Sequence, residues 1–319
     1  MPCILAGIKI KNNDMTFKNF NLKTSDGIVL VCYKWENKSP NFVVQIAHGM
    51  LDHSGRYDKF AQFLNKNGAV IYSEDHRGHG KTAGNLENIG HLADKDGMNK
   101  VADDILLLNN HIKSEYPDLP IVVVGQSLGS ILLRLALIKD KDFADICIFT
   151  GAGADPGIKG RIGLFIISFL KLFGGKKRNK SLNNLLFNDF NKPFKPVKTP
   201  FDSLSRDEEV VKAYMNDPYC VHVPSVQFFY DMVKASIFVN KKSNILKTDL
   251  SKPILFVSGS MCAVGEFGKG ITKLFENYKS YGVKDVELKL YKDGRHDILN
   301  EINREEIYND ILKWISNRI

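Results

Sequence analysis

The segment Gly125-Gln126-Ser127-Leu128-Gly129 directly follows the unbroken β-branched run Ile121-Val122-Val123-Val124 and directly precedes an apolar stretch from Ile131 to Ile138. A short, uninterrupted run of this kind suits a strand buried on both faces of a parallel sheet. The chain must then turn from strand to helix within a few residues. A serine on so tight a turn takes a strained backbone, and its neighbours must be small, which Gly125 and Gly129 supply. Such a turn pushes the hydroxyl clear of the sheet. It also aims the amides and the partial positive charge of the helix N-terminus at any oxyanion formed there. A glycine-rich turn with an incidental serine is the plainer alternative, but the strand before and the helix after argue against it.

The rest of the chain fits a sheet of this kind. Strand-like runs are expected at Phe42 to Ala47, Ala69 to Ser73, Ile146 to Thr150, Ile254 to Ser258 and Val286 to Tyr291. Helical spacing places Val101, Ile105, Leu108 and Ile112 on one face, as it does Ile307, Ile311 and Ile315. Strand, helix, strand at this spacing predicts βαβ units. Phe17 to Lys23 and Ile28 to Trp35 flank Ser25-Asp26-Gly27 and predict an antiparallel hairpin at the sheet edge. With 319 residues, 44% of them hydrophobic, the chain can bury a large α/β core.

The rhythm breaks between about residues 156 and 224. An apolar run (Ile162 to Phe173), a basic cluster (Lys176, Lys177, Arg178, Lys180) and prolines at 193, 196 and 200 mark an insertion over the sheet. The expected division is a core of residues 1–155 and 225–319 with a lid of residues 156–224. The apolar run falls short of the roughly 20 residues that a bilayer span needs. It suits a membrane interface or the cover of a lipophilic pocket, and a helix packed within the insertion suits it equally.

Two further elements complete a site around Ser127. His48-Gly49-Met50 follows the third strand, where a second oxyanion donor is needed, so the amides of Met50 and Leu128 are the expected pair. His48 itself is expected to orient that turn. A general base should follow the last strand, and Gly294-Arg295-His296-Asp297 does; an imidazole with an ordinary pKa of about 6.5 takes and returns a proton near neutrality. His76 and His79, near Asp75, lack further ligands at a metal-binding spacing, and no metal or cofactor is expected.

The segments His48 to Tyr57, Asp75-His76-Arg77-Gly78-His79-Gly80, Gly125 to Gly129, Asp217-Pro218 and Gly294-Arg295-His296 together resemble the monoacylglycerol lipase and lysophospholipase family of α/β-hydrolases, grouped with the S33-type serine hydrolases. The resemblance spans nearly the whole chain. It implies an eight-stranded, mostly parallel sheet with helices on both faces, an inserted helical lid between the sixth and seventh strands, and hydrolysis of monoacylglycerols, lysophospholipids or related esters.

One departure stands out. Where the family carries its triad aspartate after the seventh strand, this chain reads Ser258-Gly259-Ser260-Met261-Cys262-Ala263-Val264-Gly265, with Cys262 in the acid position. A neutral thiol partners imidazole weakly, and in a serine protease the loss of the triad carboxylate lowers turnover about 10⁴-fold. Asp155, after the sixth strand, is the candidate substitute acid. Two functions follow: an ester hydrolase with Ser127 as nucleophile and His296 as base, or a catalytically impaired hydrolase-fold protein that still binds lipid.

The remaining expectations concern partners and location. The net charge of +8 comes from basic residues interspersed with acidic ones, so nucleic acid is not an expected partner. The expected partner is a small lipid-like ester, with peripheral membrane contact through the lid. Met1-Pro2-Cys3 opens no charged and apolar leader, so the cytoplasm is the expected compartment, with membrane association. Cys3, Cys32, Cys147, Cys220 and Cys262 are widely spaced and expected as free thiols.

Overall fold

The computed structural model describes residues 17–319, and the readings of Met1, Pro2 and Cys3 lie outside them. The strands are β1 (Lys18–Lys23), β2 (Val29–Trp35), β3 (Phe42–Ala47), β4 (Ala69–Glu74), β5 (Ile121–Gln126), β6 (Ile146–Thr150), β7 (Ile254–Gly259) and β8 (Val286–Tyr291). The helices, in chain order, are α1 (Asp58–Lys66), α2 (Gly97–Glu115), α3 (Leu128–Lys139), α4 (Gly157–Leu172) and α5 (Lys180–Phe187). They continue with α6 (Glu208–Asn216), α7 (Val226–Val239), α8 (Lys242–Ile245), α9 (Lys269–Ser280) and α10 (Arg304–Ser316).

One eight-stranded sheet runs in the order β1-β2-β4-β3-β5-β6-β7-β8. The β1–β2 hairpin and the β2–β4 pair are antiparallel, and every later pairing is parallel. Strands β3 to β7 are buried along their whole length. Their Val, Ile and Phe residues alternate between two apolar layers, because successive side chains of a strand point to opposite faces. On one face Val43, Val123 and Phe256 pack with α2, α3, α7 and α9. On the other Val44, Val124 and Val257 pack with α1 and α10. Val101, Ile105, Leu108 and Ile112 of α2 all face inward, as do Ile307, Ile311 and Ile315 of α10. The mostly parallel sheet with helices on both faces is therefore the architecture that the sequence implied.

Between β6 and β7 the chain adds α4 to α8. Helix α7 belongs to the core face, with Phe228, Phe229 and Val239 in the main apolar cluster. Helix α4 lies on α7 and turns only Ile167 fully inward. Its apolar run therefore has two faces, one packed against α7 and one open to solvent. No helix among the described residues is long and apolar enough to cross a membrane.

Candidate active site

Ser127 caps the N-terminus of α3 with φ 53° and ψ −111°, a region that costs an L-residue energy and is sustained only by tight surroundings. Those surroundings are visible. A Cβ on Gly129 would come within 2.0 Å of the Ala47 carbonyl oxygen, and one on Gly125 within 2.7 Å of the Gly129 backbone. The amide of Ser127 donates to the Thr150 carbonyl at 2.8 Å, which pins the turn to the neighbouring strand. Serine is thus lifted off the sheet by steric necessity.

His296 comes from the loop after β8. Its Nε2 lies 2.8 Å from Ser127 Oγ, and its Nδ1 lies 3.2 Å from Cys262 Sγ. Cys262 is fully buried in the loop after β7. The two loops meet closely: a Cβ on Gly259 would stand 1.9 Å from the Gly294 carbonyl oxygen. Burial works against charge on both partners. The imidazole's charge and hydrogen bond nonetheless hold the Cys262 thiol below its ordinary value, and Cys262 in turn raises His296 above its own. Each partner thus favours the charged form of the other, against the burial that opposes it.

Asp155 does not join this group. Its carboxylate receives Arg161 at 2.7 and 3.0 Å and the Gly157 amide at 2.8 Å, an arrangement that closes the start of α4. The group that faces His296 Nδ1 is the Cys262 thiol, and Asp155 faces Arg161 instead. The reason is local: Arg161, about one turn into α4, reaches back over the helix start to Asp155 and to the Gly157 carbonyl.

Met50 and Leu128 flank the serine from the β3 loop and the α3 N-terminus. Neither amide makes a hydrogen bond among the described residues. Helix N-termini leave their first amides unpaired, and such amides beside a serine can receive an oxyanion. His48, fully buried, donates from Nδ1 to the Gly49 carbonyl at 2.8 Å and accepts the His76 amide at Nε2 at 2.9 Å. Burial holds it neutral, and it shapes the turn that presents Met50. Burial likewise lowers His76 to about 4; its Nδ1 lies 2.9 Å from Glu74, whose carboxyl burial pushes well above the ordinary carboxylate range.

Several supporting residues had no clear signal in the sequence. Gln126 donates from Nε2 to the His296 carbonyl at 2.9 Å and accepts the Thr150 hydroxyl, which ties the His296 loop to the serine turn. Arg56 bridges Asp52 at 3.0 Å and Asp297 at 2.7 Å behind the imidazole. The inserted segment reaches the same loop, because the amides of His296 and Asp297 donate to the carbonyls of Ser203 and Leu204 at 3.2 and 2.7 Å. Gln126 sits inside the pentapeptide, so its position alone was a hint. The ligand atoms of His53, Asp217 and Cys220 lie within 4.8 Å of one another. His53 engages both ring nitrogens, one with Asp217 at 2.8 Å and one with the Gly55 amide at 3.2 Å, so His53 and Asp217 read as a hydrogen-bonded clasp.

A serine on a strained strand-to-helix turn, an imidazole at hydrogen-bond distance and two unpaired amides beside it define a hydrolase of the α/β-hydrolase fold. Residues 38–303 match the family model described as serine aminopeptidase, S33, and the chain belongs to that family. It is 26% identical over 294 residues to the monoacylglycerol lipase of Mycolicibacterium smegmatis, across 91% of this chain and 93% of that protein. It is 25% identical over 305 residues to the monoglyceride lipase of Rattus norvegicus, across 94% of this chain and 90% of that protein. Among solved structures, a thermostable carboxyl esterase from Bacillus coagulans in complex with glycerol superposes with a TM-score of 0.88. That match is 26% identical and covers 95% of this chain and 99% of the other.

Proposed function

We propose that this chain, a carboxylic ester hydrolase, acts on monoacylglycerols or lysophospholipids through an acyl-enzyme on Ser127. The observation that carries this reading is the 2.8 Å approach of His296 Nε2 to Ser127 Oγ. In the proposed reaction His296 takes the hydroxyl proton as Oγ attacks the acyl carbonyl. The amides of Met50 and Leu128 hold the oxyanion, His296 returns the proton to the departing alcohol, and water then releases the acid by the same steps. Cys262 takes the acid's place, steadying the ring tautomer and the imidazolium. The chemistry calls for no cofactor. The lipid substrate is supported by the kinship with lipases of that type and by the exposed apolar face of α4.

Residues 156–224 act in this proposal as a lid. Ile158, Phe165 and Leu172 of α4 are more than three-quarters exposed, and they suit a helix that rests on a membrane surface where such substrates reside. Ser127→Ala tests the core of the reading. It should abolish hydrolysis of a p-nitrophenyl ester and labelling by a fluorophosphonate; labelling that survives would overturn it.

A second reading has one observation in its favour: the group on His296 Nδ1 is a thiol rather than a carboxylate. In that case the protein binds a lipid acyl chain with turnover largely lost. A purified protein that binds a fluorescent fatty acyl probe but shows no hydrolysis at any chain length would favour it.

A further inference from the structure

Of the thiols among the described residues, one stands apart. Burial pushes Cys32, Cys147 and Cys220 above their ordinary value, whereas Cys262, buried as fully as they are, is held below it by His296. A thiol beside an imidazole that can take its proton is the kind that an oxidant attacks.

The surroundings of the sulfur suit an anion with more than one oxygen. His296 Nδ1 lies on one side at 3.2 Å. Ser258, near the end of β7, is wholly buried, and its hydroxyl has only a long 3.3 Å contact with the carbonyl of the next residue. That hydroxyl and the Gly265 amide both lie against the sulfur and favour negative charge on it. The Gly265 amide donates to no backbone carbonyl among the described residues, and neither do those of Ala263 and Val264. Several donors thus converge on a thiol, which is a weak acceptor and leaves them under-used. The loop that brings the Gly265 amide continues through Glu266 and Phe267, both left-handed, at φ 51° and 55°. Non-glycine residues are strained there, so this cover over the sulfur opens at less cost than an unstrained loop and admits a molecule little larger than water.

We infer that Cys262 is a modification site, and that its oxidation by hydrogen peroxide to the sulfinate completes the group around His296. A sulfinate carries two oxygens and a negative charge on the atom bonded to Cβ, as an aspartate does. In the first step the sulfur attacks one peroxide oxygen and its proton passes to His296 Nδ1. The O–O bond breaks, and the departing hydroxide takes that proton to leave as water. The sulfenic acid reacts in the same way with a second peroxide, giving a sulfinic acid and a second water. Each step takes two electrons from sulfur. Imidazole, hydroxyl and amide include no second thiol to divert the sulfenic acid into a disulfide. Once the sulfinic acid ionises, one oxygen faces Nδ1–H and the other faces the Ser258 hydroxyl and the Gly265 amide. This rests on the reading of Ser127 and His296 as nucleophile and base, and it makes the enzyme slow when reduced and fast when oxidised.

The purified chain, reduced and freed of reductant, is treated with hydrogen peroxide and then with dithiothreitol. Peptide mass, turnover of a short soluble ester and fluorophosphonate labelling are followed throughout. The peptide should gain two oxygen atoms that fragmentation assigns to Cys262 rather than to Met261 beside it, and turnover should rise about tenfold or more. The rise should survive dithiothreitol, which reverses a sulfenic acid but not a sulfinic one. The acid limb of kcat/KM should shift to higher pH, because a fixed anion replaces the thiol while Asp52 and Asp297, which also raise His296, are unchanged. Cys262→Asp should show no rise on the same treatment. A rise that also occurs in Cys262→Asp, or one that dithiothreitol reverses, would overturn the assignment, as would a Cys262 that gains no oxygen. An active protein that carries the sulfinate and is no faster would overturn the activation alone. Sulfinate at Cys262 with neither turnover nor labelling, before or after treatment, would count against the hydrolase reading as well.

Discussion

Cys262 Sγ lies 3.2 Å from His296 Nδ1, on the opposite side of the ring from Ser127. A carboxylate oxygen reaches farther from Cβ than sulfur does and makes a shorter charge-assisted bond, so an aspartate fits the same span. Cys262→Asp should therefore raise the turnover number by about tenfold or more, because a carboxylate stabilises the imidazolium better than a partly ionised thiol. Cys262→Ala should lower it by about 10² to 10⁴. Turnover on one short-chain ester measures both. A Cys262→Asp enzyme no faster than wild type would mean that the thiol already does all that an acid can.

The same pair sets the pH profile. Cys262 raises His296, so the base stays protonated, and idle, to a higher pH than an ordinary imidazole. The acid limb of kcat/KM should accordingly have its midpoint above about 6.5. In Cys262→Ala the largest raising influence is gone while burial and the smaller pull of Asp297 and Asp52 remain, and the midpoint should move down. A midpoint that stays put or rises in the variant would contradict the coupling.

Asp155→Asn provides the complementary case. Its carboxylate is bound to Arg161 and the Gly157 amide rather than to the imidazole, so turnover should stay within about twofold while stability falls by about 1 kcal/mol or less. A hundredfold loss of turnover would return Asp155 to the catalytic group.

Gln126→Leu removes the donor to the His296 carbonyl and the acceptor for the Thr150 hydroxyl. Two buried polar groups lose partners, at a cost of about 1–3 kcal/mol. The base loop should loosen, lowering kcat about tenfold with KM nearly unchanged. Thermal unfolding and steady-state kinetics on the same preparation separate the two effects.

Gly129→Ala and Gly163→Ala should differ in sign. The first drives a Cβ to 2.0 Å from the Ala47 carbonyl oxygen, and a loss of at least about 3 kcal/mol is expected because backbone must move. The second lies in mid-helix with nothing within 4 Å, and a gain of about 0.5–1 kcal/mol follows from the reduced freedom of the unfolded chain. Thermal or urea unfolding of the two variants beside the wild type measures both.

Much of the core was legible in the chain because its strands lie in one environment from end to end. Phe42 to Ala47 and Ile146 to Thr150 are buried at every position, and an unbroken apolar run is what such burial demands. Ser127 and the two glycines were legible for a steric reason that acts within five residues. The partner of His296 was not readable from spacing, since Cys262 is 34 residues away and was marked only by the family resemblance. Asp155 departs from expectation for the converse reason: its fate is decided by Arg161, six residues on, and a string of letters does not say which way that turn points. The contact of His53 with Asp217 spans 164 positions and left no local trace.

The amides of His296 and Asp297 rest on two carbonyls that belong to the inserted segment, those of Ser203 and Leu204. The insertion is thus part of the scaffold of the loop that carries His296. An engineer who exchanged it for the cap of a relative would have to match those two backbone acceptors before matching any pocket shape. A chain trimmed to the bare sheet and helices would leave the His296 loop without two of its backbone acceptors.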